Sequence, residues 1–84
     1  MSNNREKLKI LIAISDKLWE DYSNNILNED IYFNKMLKVK KEMDKCFVEK
    51  MQDIEMLAEE LGYLIIANPS KIVNGLKFNI VNKN

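Results

Sequence analysis

The chain contains no histidine, which removes the commonest general base and leaves paired carboxylates and one thiol as the groups whose spacing could do chemistry. Asp16/Glu20 and Glu55/Glu59 are spaced four apart, which puts each pair on one side of a helix. Two carboxylates so placed suit a hard cation, or a proton shared between acid and base. No glycine-containing calcium loop accompanies them and no other carboxylate motif converges on them, so a solvated helix face is expected. Cys46, the single cysteine, has Lys45 beside it. It sits inside a helical pattern, away from a helix N-terminus and without a base, so a half-buried packing role is expected. One cysteine without histidine excludes a disulfide framework and the usual zinc patterns. It also removes Ser-His, Cys-His and His-metal chemistry. The expectation is no enzyme, no catalytic residue, no metal and no cofactor.

These residues must be positioned by very few elements. The 84 residues suit one small domain, and 46% hydrophobic content suffices for one core. Thirteen basic and thirteen acidic side chains balance. A disordered tail would be apolar-poor and charge-imbalanced instead. The longest apolar run, Ile10–Ile14, is far below the roughly 20 residues needed to span a bilayer. With no small-x-small cleavage site after it, a signal peptide is not expected. A cytoplasmic location is the expectation, and one unpaired cysteine agrees with a reducing compartment. Abundant Lys, Asn and Ile suggest an AT-rich genome, bacterial or phage.

The pattern predicts a helix over 3–23, with Leu8, Leu11, Ile12, Ser15, Leu18, Trp19, Tyr22 and Ile26 recurring at spacings of three and four. Ile10 and Ile14 fall off that stripe. Asn24-Asn25 favours a turn, and Asn28 suits an N-cap with Glu29 and Asp30 behind it. A second, longer helix is expected over 29–61, continuous or broken near 40–44. Its stripe includes Phe33, Met36, Leu37, Met43, Phe47, Met51, Ile54, Ala58 and Leu61. Gly62 suits the residue after its end. The period then changes to two, and Asn74-Gly75 is a strong turn signal, so a β-hairpin is expected over 63–81. The predicted fold is α+β: an antiparallel two-helix hairpin with a long second helix, then an antiparallel β-hairpin or short meander.

Two surfaces follow. The long stripe overhangs the first helix, so Phe33, Met36, Met43, Phe47, Met51 and Ile54 are expected to mediate self-association, giving a homodimer. The basic Lys35–Lys45 stretch would then face the acidic Glu49–Glu60 stretch of an antiparallel partner. Glu49, Asp53, Met56 and Glu60 lie opposite the core stripe and are expected to contact a basic protein partner while being dispensable for folding.

Leu57-Ala58-Glu59-Glu60-Leu61-Gly62 resembles the second helix and turn of helix-turn-helix DNA-binding proteins. Asn68-Pro69-Ser70-Lys71-Ile72-Val73-Asn74-Gly75-Leu76 is similar to the start of their recognition helix. Tyr63–Ala67 departs from the family, standing where a turn of about three residues belongs. The resemblance implies a DNA-binding transcriptional regulator, in helix-turn-helix or winged-helix form. Zero net charge and interleaved acids argue against a basic surface for nucleic acid. The favoured expectation is a non-enzymatic protein-binding module: a small regulator or inhibitor, such as a phage or mobile-element accessory protein acting on a host machine. A DNA-binding regulator is the alternative.

Overall fold

The computed structural model describes residues 2–46 and 53–83. Helix α1 spans Ser2–Ser23, α2 Glu29–Lys45 and α3 Ile54–Glu60, followed by strands β1 (Tyr63–Ala67) and β2 (Phe78–Asn82). The class is the expected α+β, with an antiparallel helical hairpin and then a β-hairpin.

Local chemistry sets the boundaries. At the end of α1, Asn25 takes a positive φ of 63°. Its N–H donates to the Tyr22 carbonyl (3.1 Å), and that of Ile26 donates to the Asp21 carbonyl (2.8 Å). This is the paired closure by which a left-handed residue satisfies the last carbonyls of a helix. Asn28 caps α2, its Oδ1 accepting from the Ile31 N–H at 2.8 Å, with Glu29 and Asp30 at the positive end of the dipole.

The helix expected over 29–61 is instead two helices. Residues 40–44 are helical, so the chain does not break there. At Cys46 the N–H closes a tight last turn onto the Met43 carbonyl at 3.2 Å. Asp53 starts α3, its Oδ1 accepting from the N–H groups of Glu55 (2.9 Å) and Met56 (3.4 Å). A side-chain acceptor at that point satisfies the exposed donors of a new helix, so no glycine or proline is needed to divide the segment. Phe47, Glu49 and Met51, with the roles expected of them, lie outside the described residues.

At the end of α3, Lys35 reaches across from α2 and donates from Nζ to the Leu61 carbonyl at 2.8 Å. The ammonium also lies 6.0 Å from the centre of the Tyr63 ring. This places a cation at the negative end of a helix that carries Glu59 and Glu60 in its last turn. Gly62 then turns the chain into β1 with φ +91°. β1 pairs antiparallel with β2, from Tyr63↔Asn82 to Ala67↔Phe78. Inside the connection, Asn74 (φ 52°) and Gly75 (φ 83°) form a two-residue turn, closed by reciprocal Val73–Leu76 backbone hydrogen bonds of 2.8 and 2.9 Å. Residues 68–76 are therefore turns and one isolated bridge. The recognition helix implied by the helix-turn-helix resemblance is not formed there. The left-handed Asn74-Gly75 pair opposes a helix through that segment.

The core joins Leu11, Ile14 and Leu18 of α1 to Val39 of α2, Ile54, Leu57 and Ala58 of α3, and Leu61 and Tyr63 beyond it. The buried line of α1 is thus 11–14–18–21, rotated from the expected stripe. Ile14 is fully buried, whereas Ile12 and Trp19 are exposed. The rotation arises because α1 is packed on by α2, α3 and β2 together. Its buried arc faces the space between them.

Candidate protein-binding surface

The side chains left outside this core decide what the surface offers. On α2, Val39 points inward and is fully buried. Residues turn by about 100° each along a helix, so Phe33, Leu37 and Lys40 come to lie on its flank, with Met36 and Met43 at the edge of the core. Phe33 and Leu37 are each 55% exposed. Together with Ser15 of α1, these five α2 residues line a groove of about 430 Å³ along one side of the hairpin. Ile12 and Trp19 are also exposed. They sit three or four residues from Ser15 along α1, on the same side of the helix. The apolar surface then continues through a ring cluster. Trp19 packs on Tyr22 and Tyr32 at 5.8 and 6.2 Å, Tyr22 stacks on Tyr32 at 4.6 Å, and Phe33 lies 5.7 Å from Tyr32.

This face gathers three of the residues expected to self-associate: Phe33, Met36 and Met43. Ile54 does not belong to it. Its side chain is 8% exposed and sits in the core, because the new helix start at Asp53 turns its first apolar residue inward.

The acidic face is divided. Asp53 and Met56, with Glu55, Glu59, Tyr63, Leu64 and Ile65, line a groove of about 340 Å³ between α3 and β1. Glu60 lines a different one with Lys38, Lys41, Lys45, Glu42 and Leu57. Met56 is 61% exposed, as expected. Asp53, expected to be dispensable for folding, caps α3. Asp53→Ala should lower stability by about 1 kcal/mol, measured by urea denaturation. An unchanged midpoint would show that the cap contributes nothing.

The two carboxylate pairs are on the surface. Asp16 and Glu20 border a cleft of about 410 Å³ between α1 and β2, together with Lys17 and Lys71. Lys71 donates to Asn79 Oδ1 at 2.9 Å, and Lys17 lies 3.5 Å from Glu20. Among the described residues, no three His, Cys, Asp or Glu side chains gather in a metal-holding group. Cys46 is half-buried, outside any disulfide, and packs against the core. No helix among the described residues is long and apolar enough to cross a membrane.

One polar constellation was missed in the sequence. Asp21 is 1% exposed. Its Oδ2 accepts from the Tyr63 hydroxyl at 2.7 Å and from Asn82 Nδ2 at 3.1 Å. Its Oδ1 faces Lys17 Nζ at 3.3 Å as an ion pair. Burial raises the carboxyl pKa, but the bonds from Tyr63 and Asn82 and the charge of Lys17 outweigh it. The net shift is below the ordinary value of 3.8. Burial, and then the bond to Asp21, push the Tyr63 hydroxyl well above its usual range. The group joins α1, β1 and β2, so its role is to hold the helical and strand layers together. Among the described residues Glu42 is the other buried acid, 4% exposed, with Lys45 Nζ 3.2 Å from its Oε2.

Comparison with protein-family models, with curated proteins and with solved structures finds no match to this chain.

Proposed function

We propose that this chain is a non-enzymatic protein-binding module, a small regulator or inhibitor of another protein, in which the apolar face of the helical hairpin is a protein–protein contact surface. The observation that supports this reading is the groove along α1 and α2, with Phe33 and Leu37 more than half exposed on its rim. Soluble monomers rarely expose a contiguous large apolar patch, and aromatic and methionine side chains are favoured anchors at protein interfaces. Single exposed leucines are ordinary. Two helices contributing adjacent Phe, Leu, Met, Ile and Trp side chains to one face are not.

The test is Leu37→Glu. Leu37 is outside the core, so the circular dichroism spectrum and melting temperature should stay close to wild type. Capture of bound protein from the source cell, quantified by mass spectrometry, should fall about tenfold, the equivalent of 1.4 kcal/mol. Undiminished capture by the folded variant would remove this face as the binding surface. Sub-micromolar, sequence-specific binding of duplex DNA, weakening steeply with salt, would favour the DNA-binding alternative instead.

A further inference from the structure

We propose that the occupant of the hairpin groove is a second copy of this chain, packed through α2 antiparallel to itself about a two-fold axis between Phe33 and Met36. The inference rests on the protein-binding reading and names the partner.

The pattern of α2 supports it. Glu29, Phe33, Met36 and Lys40 are separated by four, three and four residues, so they fall within about 60° of one another on the helix. The spacing is the same read from either end. The outer positions carry opposite charges, and the inner ones carry large apolar side chains bordering the groove. A two-fold contact places each surface patch against itself, so residue i meets j and j meets i. Reversing α2 about the midpoint of this quartet sets Phe33 against Met36 of the second copy, and Glu29 against Lys40, twice by symmetry. A parallel arrangement would bring Glu29 onto Glu29 and Lys40 onto Lys40. Among the described residues, neither Glu29 nor Lys40 is in an ion pair within its own chain. Leu37 and Met43 flank the quartet and would be covered with it. This register replaces the one expected from a continuous helix over 29–61. There the basic stretch met acids after residue 48, a geometry the division into α2 and α3 removes.

Charge exchange tests the register. All variants carry Cys46→Ser, so that no disulfide forms between copies, and dissociation constants come from sedimentation equilibrium. Lys40→Glu alone and Glu29→Lys alone should each weaken the dimer about tenfold, because each creates two like-charge contacts. The combination Glu29→Lys with Lys40→Glu should recover to within about threefold of the parent. Circular dichroism confirms that α2 remains helical in each variant. Recovery in the combination supports the proposal. A combination weaker than either single change overturns it, as does a dimer indifferent to all three. A parent that stays monomeric up to about 1 mM also overturns it. In that case, loss of captured protein on Leu37→Glu would still uphold the protein-binding reading with a different occupant.

Discussion

Asp21→Ala should destabilise the chain by about 3 kcal/mol, the cost of breaking a buried, hydrogen-bonded charge network by removing one member. The carboxylate is 1% exposed, accepts hydrogen bonds from the Tyr63 hydroxyl and the Asn82 amide, and faces the Lys17 ammonium as an ion pair. With it gone, the Tyr63 hydroxyl loses its acceptor in a site that water reaches poorly. The loss also falls where α1 meets both strands, so hairpin docking should weaken with it. Asp21→Asn retains an acceptor for Tyr63 and should cost less than Asp21→Ala. Combining Asp21→Ala with Tyr63→Phe should cost at least 1 kcal/mol less than the sum of the single changes, because each change alone leaves the other partner stranded. Urea denaturation of the four proteins measures the coupling. Strict additivity would mean that the 2.7 Å contact contributes nothing.

The same group sets a pH dependence. The Asp21 pKa is lower in the folded chain than its ordinary 3.8. The ionised form is therefore the one that folding favours. Its contribution is complete above about pH 4 and disappears as the pH falls through the folded value. For Tyr63 the folded value is raised. That contribution is complete below the ordinary value of 10 and declines as the pH rises beyond it. Stability profiles of wild type and Asp21→Asn should therefore converge in acid below pH 4.

The backbone was more legible in the sequence than the faces it presents. Asn28, Gly62 and Asn74-Gly75 each satisfy a local backbone requirement, and local requirements can be read from neighbouring residues. The end of α2 was less visible, since it depends on Asp53 starting a new helix rather than on a breaker inside the old one. The buried face of α1 depends on what packs against it. Leu11, Leu18, Ile12 and Trp19 all fit helical spacing, and only the positions of α2, α3 and β2 show which pair is inside. Asp21 was missed because its partners lie 42 and 61 residues away. Its signal was the spacing Leu11, Ile14, Leu18, Asp21, which continues an apolar line into an acid. Of the surface residues, Phe33, Met36 and Met43 were found because three- and four-residue spacing groups them whichever way the helix turns. Ile54 belonged to a different helix and a different face.

Leu18 and Trp19 separate the two faces of α1 most sharply. Leu18 is fully buried among core residues of α1, α2 and α3, whereas Trp19 is 58% exposed. Leu18→Ala removes buried methyl groups and leaves a cavity that the surrounding elements fill only in part, at a cost of about 3 kcal/mol. For a domain of this size, that corresponds to a fall in melting temperature of about 10–20 °C. Trp19→Ala deletes a much larger side chain. It gives up tilted contacts with Tyr22 and Tyr32, worth about 1 kcal/mol, and creates no internal cavity. The smaller deletion should therefore be the more damaging one, opposite to the order that residue size alone would give. Thermal unfolding of the two variants decides the matter. If Trp19→Ala were the less stable protein, the buried arc of α1 would lie along Ile12, Ser15 and Trp19. The groove beside Phe33 and Leu37 would then be part of the core, leaving no apolar face on the hairpin for a second copy to cover.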